Sequence, residues 1–207
     1  MEKKGDIWIS AVLYFGLGII VITIILTAGL PVINKLRDKN IAIQTKNSFQ
    51  ILDTNIREVL KGGPGTQRVI TMELKKGDFK ADGTNESLVW QYNSKAYLTE
   101  PSDNCDLFSK DSTTKKRDVG TWVTEGNIEI CTENLPTKGS YNVIMLLDYS
   151  NLGDLIAESQ PPITGLGNIV IRNNGIQSLS SSECLTNTGQ VSSSQSDCKI
   201  KLGISQV

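Results

Sequence analysis

Hydrophobic positions divide the first part of the chain into two helical patterns. No charged residue occurs from Ile7 to Ile33, and a helix over this stretch would be about 40 Å long, more than the roughly 30 Å core of a bilayer. From Leu36 to Leu60 the apolar residues recur at mostly three- and four-residue spacings, as on one face of a helix. We therefore expect one rod that is apolar all round in its first half and amphipathic in its second.

Glycine and proline set the limits of this rod. The run Gly62-Gly63-Pro64-Gly65 predicts that the helix ends at Lys61, and residues 62–66 are predicted to form a Gly/Pro linker. Pro31 lacks an N–H and clashes with the preceding turn, so we expect a kink there. The uncharged run is longer than the roughly 7–15 apolar residues of a secretory signal, so it is not an ordinary one.

The pattern changes to short alternating segments in residues 67–207. The predicted strands are Arg68–Leu74, Asp78–Asp82, Ser87–Tyr92, Gly120–Thr124, Asn127–Cys131, Tyr141–Tyr149, Asn168–Arg172 and Cys198–Ile204. Turns are predicted at Lys76-Gly77, Asp82-Gly83 and Asn174-Gly175. Tyr141–Leu147 is apolar on both faces, so we place it centrally, partly covered by the helix.

These elements predict the α+β class. The expected architecture is a long N-terminal helix followed by an all-β, sandwich-like globular head. Residues 1–61 carry eight Lys/Arg and five Asp/Glu, whereas residues 62–207 carry thirteen and seventeen, so the net charges are +3 and −4. The head has no basic stripe that would predict nucleic-acid binding. The short clusters Lys75-Lys76 and Lys115-Lys116-Arg117 are interpreted as solvated turns rather than binding patches.

The four cysteines predict disulfides. Beyond a membrane segment, an even count indicates an oxidising compartment. Three connectivities are possible, and we favour the sequential one, Cys105–Cys131 with Cys184–Cys198, over the alternative of four buried free thiols.

Catalytic and metal-binding patterns are missing from the sequence. The chain contains no histidine, which excludes Ser-His-Asp and Cys-His arrangements, and it has no phosphate-binding glycine loop. The spacing of Asp82, Asn85 and Glu86 does not match a calcium loop and fits a hairpin turn better. We therefore expect no catalytic residue, metal or cofactor. Asn85-Glu86-Ser87 is a possible glycosylation acceptor.

The first residues carry a family resemblance. Lys3-Lys4-Gly5 followed by Asp6 and a long uncharged helix resembles the class III signal peptide of archaeal type IV pilin-like proteins. Further similar motifs are W-I-S-A-V-L-Y (Trp8–Tyr14), R-D-K-N (Arg37–Asn40), G-T-Q-R (Gly65–Arg68), K-K-G-D-F followed by D-G, and L-D-Y-S-N-L (Leu147–Leu152). The resemblance covers the helix closely and the head loosely.

The resemblance implies a processing step and a polymer. A prepilin peptidase would cut between Gly5 and Asp6, removing residues 1–5 and leaving residues 6–61 as a helix that spans the membrane before assembly and packs in a filament core afterwards. An assembly ATPase and a membrane platform would drive the transfer into a homopolymer. The implied core positions are Ile9, Val12, Leu13, Leu17, Ile20, Ile24 and Leu30.

The implied topology places the N-terminus in the cytoplasm and the head, residues 67–207, outside the cell. One position departs from the bacterial pattern, because Ser10 stands where bacterial pilins carry a glutamate at the fifth mature position. The alternative to a pilus-like subunit is a single-pass anchored protein whose extracellular β domain binds a surface partner and never polymerises. An anchored enzyme is disfavoured by the missing catalytic residues.

Overall fold

The computed structural model describes residues 4–107, 117, 122–150, 154–157, 163–178 and 198–206. One helix precedes eight strands. The elements are α1 (Lys4–Lys61), β1 (Gln67–Asp82), β2 (Ser87–Ser94), β3 (Val123–Glu125), β4 (Ile128–Asn134), β5 (Tyr141–Asp148), β6 (Asp154–Ala157), β7 (Ile163–Ser178) and β8 (Cys198–Gln206). The α+β class, with a long N-terminal helix and a β head, is confirmed.

Helix α1 is continuous over 58 residues. It ends at Lys61 as predicted, where Gly62 and the positive φ angles of Gly63 and Gly65 turn the chain. Pro31 lies inside the helix, and the kink expected there stays a prediction. The rod therefore carries its apolar and amphipathic halves in one element.

The strands form one sheet in the order β3-β4-β5-β2-β1-β7-β8-β6. All neighbours pair antiparallel except β6 and β8, which pair parallel at one edge. The described strands of the head are thus hydrogen-bonded into one continuous sheet, and the amphipathic half of α1 packs on one of its faces.

The main core lies between α1 and this sheet face. On the helix, Phe49, Leu52, Ile56 and Val59 are fully buried. The strands contribute alternate residues, as a pleated sheet with one face on a core requires. These are Met72, Leu74, Phe79, Leu88, Trp90, Tyr92, Ile128, Ile130, Val143, Met145, Leu147, Ile169, Ile171, Leu202 and Ile204.

Strand β1 runs back alongside α1. Arg68 forms an ion pair with Glu58 at 2.6 Å, and Lys76 lies 3.9 Å from Asp38. The 20 helical residues between these partners rise about 30 Å, and the eight strand residues span about 27 Å. Strand β1 therefore lies alongside α1 from the linker to the end of the head that is nearest the apolar half of the helix.

The opposite face of the sheet has a second, smaller core. Val89, Cys131, Ile144 and Leu146 project there and pack with Cys105, Trp122 and Leu107. Strand β5 contributes to both cores and lies between β4 and β2, so the prediction of a central, doubly buried strand is confirmed.

Two of the three predicted turns lie inside long strands, at a bulge or irregularity of the pairing. Lys76-Gly77 lies within β1, where the β1–β7 register shifts, and Asn174-Gly175 lies within β7, where the β7–β8 register shifts. Gly77 and Gly175 have φ angles of 89° and 87°, the left-handed conformation that tight turns also require. The third, Asp82-Gly83, begins the β1–β2 connection as predicted. Two predicted strands, Arg68–Leu74 and Asp78–Asp82, are consequently one.

Strand β6 was not predicted. Its four residues, Asp154–Ala157, offer too short a pattern, and it is held at the sheet edge by parallel pairing with β8. The predicted strand Gly120–Thr124 is represented by β3 from Val123 onward, and its first two residues lie outside the described residues.

We predict that Gly77→Ala destabilises the head. A Cβ there would lie 2.5 Å from Trp90 Nε1 and 2.6 Å from the Gln91 carbonyl oxygen, in addition to the strain of a φ of 89°. We expect a loss of about 3 kcal/mol in the free energy of unfolding. The measurement is denaturant unfolding of the full chain in detergent.

Gly126→Ala is the matched control for this prediction. Gly126 also has a positive φ, 66°, but open space beside it, so that variant should lose only about 1 kcal/mol. Equal losses in the two variants would contradict the steric account.

Candidate assembly surface and its joint to the head

The first half of α1 is an apolar surface that the head does not cover. From Trp8 to Leu36 every residue other than glycine is exposed. The glycines at 16, 18 and 29 are surrounded by open space, because a Cβ added at any of them would meet no atom within 4 Å. By length and composition this helix could cross a membrane. The surface therefore has the chemistry of a segment that lies in lipid or against other apolar helices.

The residues implied as filament-core positions all lie on this surface. Their exposed fractions run from 54% to 67%, so none contributes to the head core; they are Ile9, Val12, Leu13, Leu17, Ile20, Ile24 and Leu30. Gly5 and Asp6, which flank the implied cleavage bond, lie in the first turns of α1 together with Lys4, while Lys3 lies outside the described residues.

We call the contacts that Asp38, Asp53 and Asn173 make between the helix and the head the joint. Along the chain, the joint begins at Asp38. This buried carboxylate accepts hydrogen bonds from the Tyr92 hydroxyl and from the Lys95 backbone N–H, the latter at 2.8 Å. Lys76 Nζ lies 3.9 Å from the same carboxylate and 5.7 Å from the centre of the Tyr92 ring. Burial, and then the hydrogen bond to Asp38, raise the pKa of Tyr92, so its hydroxyl remains a donor.

A second buried carboxylate, Asp53, holds the helix four turns further along. It accepts hydrogen bonds from the Tyr149 hydroxyl at 2.9 Å, from Asn127 Nδ2 at 2.7 Å and from Arg57 Nε at 3.0 Å. Burial and the charge of Asp53 raise the pKa of Tyr149, which keeps this phenol protonated as well. Each carboxylate thus joins α1 to a tyrosine on the sheet side.

The end of α1 is fixed to strand β7 by Asn173. Its Nδ2 donates to the Val59 carbonyl at 3.3 Å, one of the carbonyls that the end of a helix leaves without a partner. Its backbone carbonyl accepts from Gly65 N–H at 2.8 Å, and its N–H donates to the Thr66 carbonyl at 2.9 Å. The predicted linker is therefore hydrogen-bonded to the sheet.

Four of the sequence motifs quoted for the family resemblance contribute residues to this joint. Asp38 belongs to R-D-K-N, Lys76 to K-K-G-D-F, and Tyr149 to L-D-Y-S-N-L. In G-T-Q-R, Gly65 bonds to β7 and Arg68 pairs with Glu58 on the helix. Motifs that are scattered along the sequence thus meet where the helix contacts the head.

Sequence analysis assigned no role to Asp38 or Asp53. A signal was present: each acid stands three or four residues from the buried stripe positions, Asp38 before Ile41 and Ala42, and Asp53 between Phe49 and Ile56. A carboxylate on the buried stripe of an amphipathic helix requires polar partners, because burying it unpaired is costly. This rule identifies Asp38 and Asp53 as carboxylates that need polar partners on the head.

The Cys105–Cys131 disulfide predicted from the sequence is confirmed. Its Cα atoms lie 6.0 Å apart, and it joins the segment after β2 to strand β4 in the smaller core. The second predicted pair, Cys184–Cys198, falls on side chains outside the described residues, so it stays a prediction.

The interpretation of Lys115-Lys116-Arg117 as a solvated turn is wrong for Arg117. This side chain is buried, pairs with Glu129 at 2.5 Å and Asp148 at 3.2 Å, and donates to the Leu107 carbonyl at 2.9 Å. Its guanidinium also stacks over the Trp122 ring at 5.4 Å. Two carboxylates and a carbonyl offset the cost of burying the charge, which sequence proximity to two lysines could not indicate.

Asn85, the possible glycosylation acceptor, lies in the β1–β2 connection. Its Nδ2 donates to Asp82 Oδ2 at 2.8 Å, and its backbone N–H donates to Asp82 Oδ1 at 3.1 Å. Burial opposes the charged form of Asp82, but the hydrogen bonds from Asn85 and Thr84 outweigh it and lower the pKa of Asp82. The three residues are engaged in a hairpin turn.

Within the described residues, no group of three or more His, Cys, Asp or Glu side chains is placed to hold a metal ion. No protein-family model, curated protein or solved structure matches the chain. The family resemblance therefore depends on the sequence motifs.

We predict that Asp53→Ala loosens the helix from the head. The change would leave the Tyr149 hydroxyl and Asn127 Nδ2 without their acceptor in a buried site, so we expect a loss of about 2–3 kcal/mol in the free energy of unfolding. Thermal unfolding of the full chain in detergent measures it.

Glu58→Ala on the same helix is the matched control. It removes an exposed ion pair with Arg68, which should cost less than about 1 kcal/mol. If Asp53→Ala were as mild as Glu58→Ala, the joint would not depend on this carboxylate.

Proposed function

We propose that the chain is a structural subunit of an archaeal type IV pilus-like extracellular filament that serves adhesion, attachment or motility. The observation that carries this proposal is that one continuous helix has two halves with different surroundings. Its first half exposes apolar side chains all round, while its second half forms part of the head core through Phe49, Leu52 and Ile56. The subunit is thus a rigid head on an uncovered apolar rod.

A filament accounts for more of this structure than an anchor does. An anchor requires only a span, and a flexible linker could follow it. Here the helix continues into the head, and Asp38, Asp53 and Asn173 fix its direction. A fixed rod lets each subunit present its head at the same angle, which a helical array of identical contacts requires.

Assembly would transfer the apolar half from lipid to a bundle of like helices. Both surroundings are apolar, so the transfer exposes little of the rod to water. Because the contacts between successive subunits would be heterologous and would not close, the product is a filament rather than a ring. The proposed partners are copies of this chain, a prepilin peptidase, an assembly ATPase and a membrane platform.

The disulfide supports an extracellular head. Cys105–Cys131 would persist outside the cell, where thiols are not kept reduced. Lys3 and Lys4 before the span are consistent with a cytoplasmic N-terminus, but Lys35, Arg37 and Lys39 after the span reduce the charge difference between its two ends.

A single-pass anchored binding protein is the second candidate. The same uncovered helix and disulfide fit it, because a lone span also lies in lipid and a lone head can also bind a surface partner. It leaves the Lys3-Lys4-Gly5-Asp6 junction and the fixed joint without a role.

The N-terminal peptide mass of the native protein distinguishes the two candidates. We expect a peptide that starts at Asp6, because a prepilin peptidase would cut after Gly5 and keep the helix. A chain that retains Met1 in its native cells would favour the anchored protein instead.

We predict that Ile20→Asp abolishes filaments. Ile20 is 58% exposed and far from the head core, so the change should leave the head folded while placing a charge where apolar helices would pack. Electron microscopy of surface filaments measures the effect, and the volume-conserving Ile20→Leu should assemble normally. Normal filaments from Ile20→Asp would place this residue outside any packed core.

A further inference from the structure

We infer that the end of the head nearest the apolar half of α1 is a docking surface for the headgroups of anionic lipids. We call this end the base of the head and define it as residues 35–40 of the helix, 75–78 of the β1 bulge, 94–98 after β2, and 135–140 between β4 and β5. The inference rests on the membrane-inserted stage of the proposed function.

Hydrogen bonds and ion pairs bring these four segments together. Asp38 on the helix accepts from the Lys95 N–H and pairs with Lys76 of the bulge. Lys95 Nζ in turn donates to Ser140 Oγ at 2.5 Å, which ties the β4–β5 connection to the same end. The base is therefore one connected surface beside the helix where the helix leaves the head.

The base has the opposite charge from the rest of the head. Seven basic side chains lie on it against two acidic ones, Asp38 and Asp78, and Asp38 is buried. All seven are exposed; they are Lys35, Arg37, Lys39, Lys75, Lys76, Lys95 and Lys138. Residues 62–207 as a whole carry −4, so the positive charge is concentrated at the one end that faces the apolar rod.

Most of these cations have no ion-pair partner within the described part of the chain. Lys76 pairs with Asp38 and Lys95 bonds to Ser140, whereas Arg37, Lys75 and Lys138 form no salt bridge with another described residue. Exposed, uncompensated cations of this number attract an anionic surface, at about 1 kcal/mol per residue for a membrane.

The base also has the apolar and aromatic features of a membrane interface. A groove of about 490 Å³ joins Arg37, Lys75 and Lys76 to Ile33 and Leu36, which continue the apolar surface of the span. Tyr97 is 57% exposed and packs edge-on against Tyr141 at 5.6 Å. Tyrosines are enriched where a protein crosses from lipid to water.

The base adjoins the half of α1 that would span the membrane, and this position favours lipid as its ligand. With α1 inserted, the base is the part of the head that meets the outer headgroups, because the helix runs unbroken from the apolar rod into the joint. A phospholipid presents a phosphate and an acyl chain together, which matches a groove lined both by Arg37, Lys75 and Lys76 and by Ile33 and Leu36. Carboxylates of a second copy would match the cations but not the apolar lining.

The test uses the full chain in phosphatidylcholine vesicles with or without phosphatidylglycerol. Flotation first establishes that the chain is inserted. Hydrogen exchange then reports the backbone amides of residues 75–78 and 135–140. We expect exchange in both segments to slow by about fivefold or more when phosphatidylglycerol is present, and added salt to reverse the effect.

Two double variants separate the base from the charge of the head in general. Lys75→Gln with Lys138→Gln removes two cations from the base and should reduce the phosphatidylglycerol-dependent protection, by up to about fivefold for each cation. Lys61→Gln with Lys80→Gln removes two exposed lysines elsewhere and should retain it. Lys76 is left unchanged because it contributes to the joint.

Three results would overturn the inference. Equal amide exchange in the two lipid mixtures would exclude anionic headgroups as the ligand of the base. Equal losses of protection in the two double variants would mean that the effect depends only on the net charge of the head. Protection that rises with the ratio of protein to lipid in phosphatidylcholine alone would mean that a second copy covers the base. A chain that fails to float with the vesicles would contradict the membrane stage itself, which is a separate failure.

Discussion

The structure depends on one constraint, which is that the apolar half of α1 must be covered by something other than the head. Eighteen large apolar side chains between Trp8 and Leu36 are exposed on the isolated chain. Even at about 1 kcal/mol each, removing them from water is worth about 18 kcal/mol, more than the 5–15 kcal/mol that stabilises a typical domain. Lipid and like helices satisfy this requirement about equally well, so the same rod suits both stages of the proposed life cycle.

The second half of the helix serves the head instead. Its buried stripe supplies one wall of the main core, and the sheet alone would have left that face in water. Buried carboxylates at Asp38 and Asp53 would be costly without partners, and each finds a tyrosine of the head. Because these contacts are directional, they fix the angle of the rod in a way that hydrophobic packing alone does not.

The features that could be predicted from the sequence are those with local causes. The helix ends at Lys61 because Gly62 and Pro64 follow it, and β5 is central because Tyr141–Leu147 is apolar on both faces. A strand's alternation shows that one face is buried but not what covers it. Cover by the helix was therefore predicted only for Tyr141–Leu147, whereas α1 packs on alternate residues of several strands. Gly77 and Gly175 require positive φ angles, and a bulge and a tight turn share that requirement.

Features that depend on distant partners could not be predicted in this way. Asp38 meets a tyrosine 54 residues away and Asp53 meets one 96 residues away, so no local pattern assigns the pairs. Arg117 is buried by Glu129 and Asp148, from two strands that the sequence does not place beside it. The disulfide Cys105–Cys131 was easier to predict, because four cysteines allow only three connectivities.

The hydrogen bonds at the end of the helix have a mechanical consequence. Pulling on a filament would load α1 along its axis, and Asn173 with Gly65 would pass that force from the helix to β7 and β1. These two strands pair over eight consecutive register positions from Gln67 to Leu74, and β1 lies alongside α1. The force therefore acts parallel to the strands, where many hydrogen bonds share it at once and no single bond must yield first.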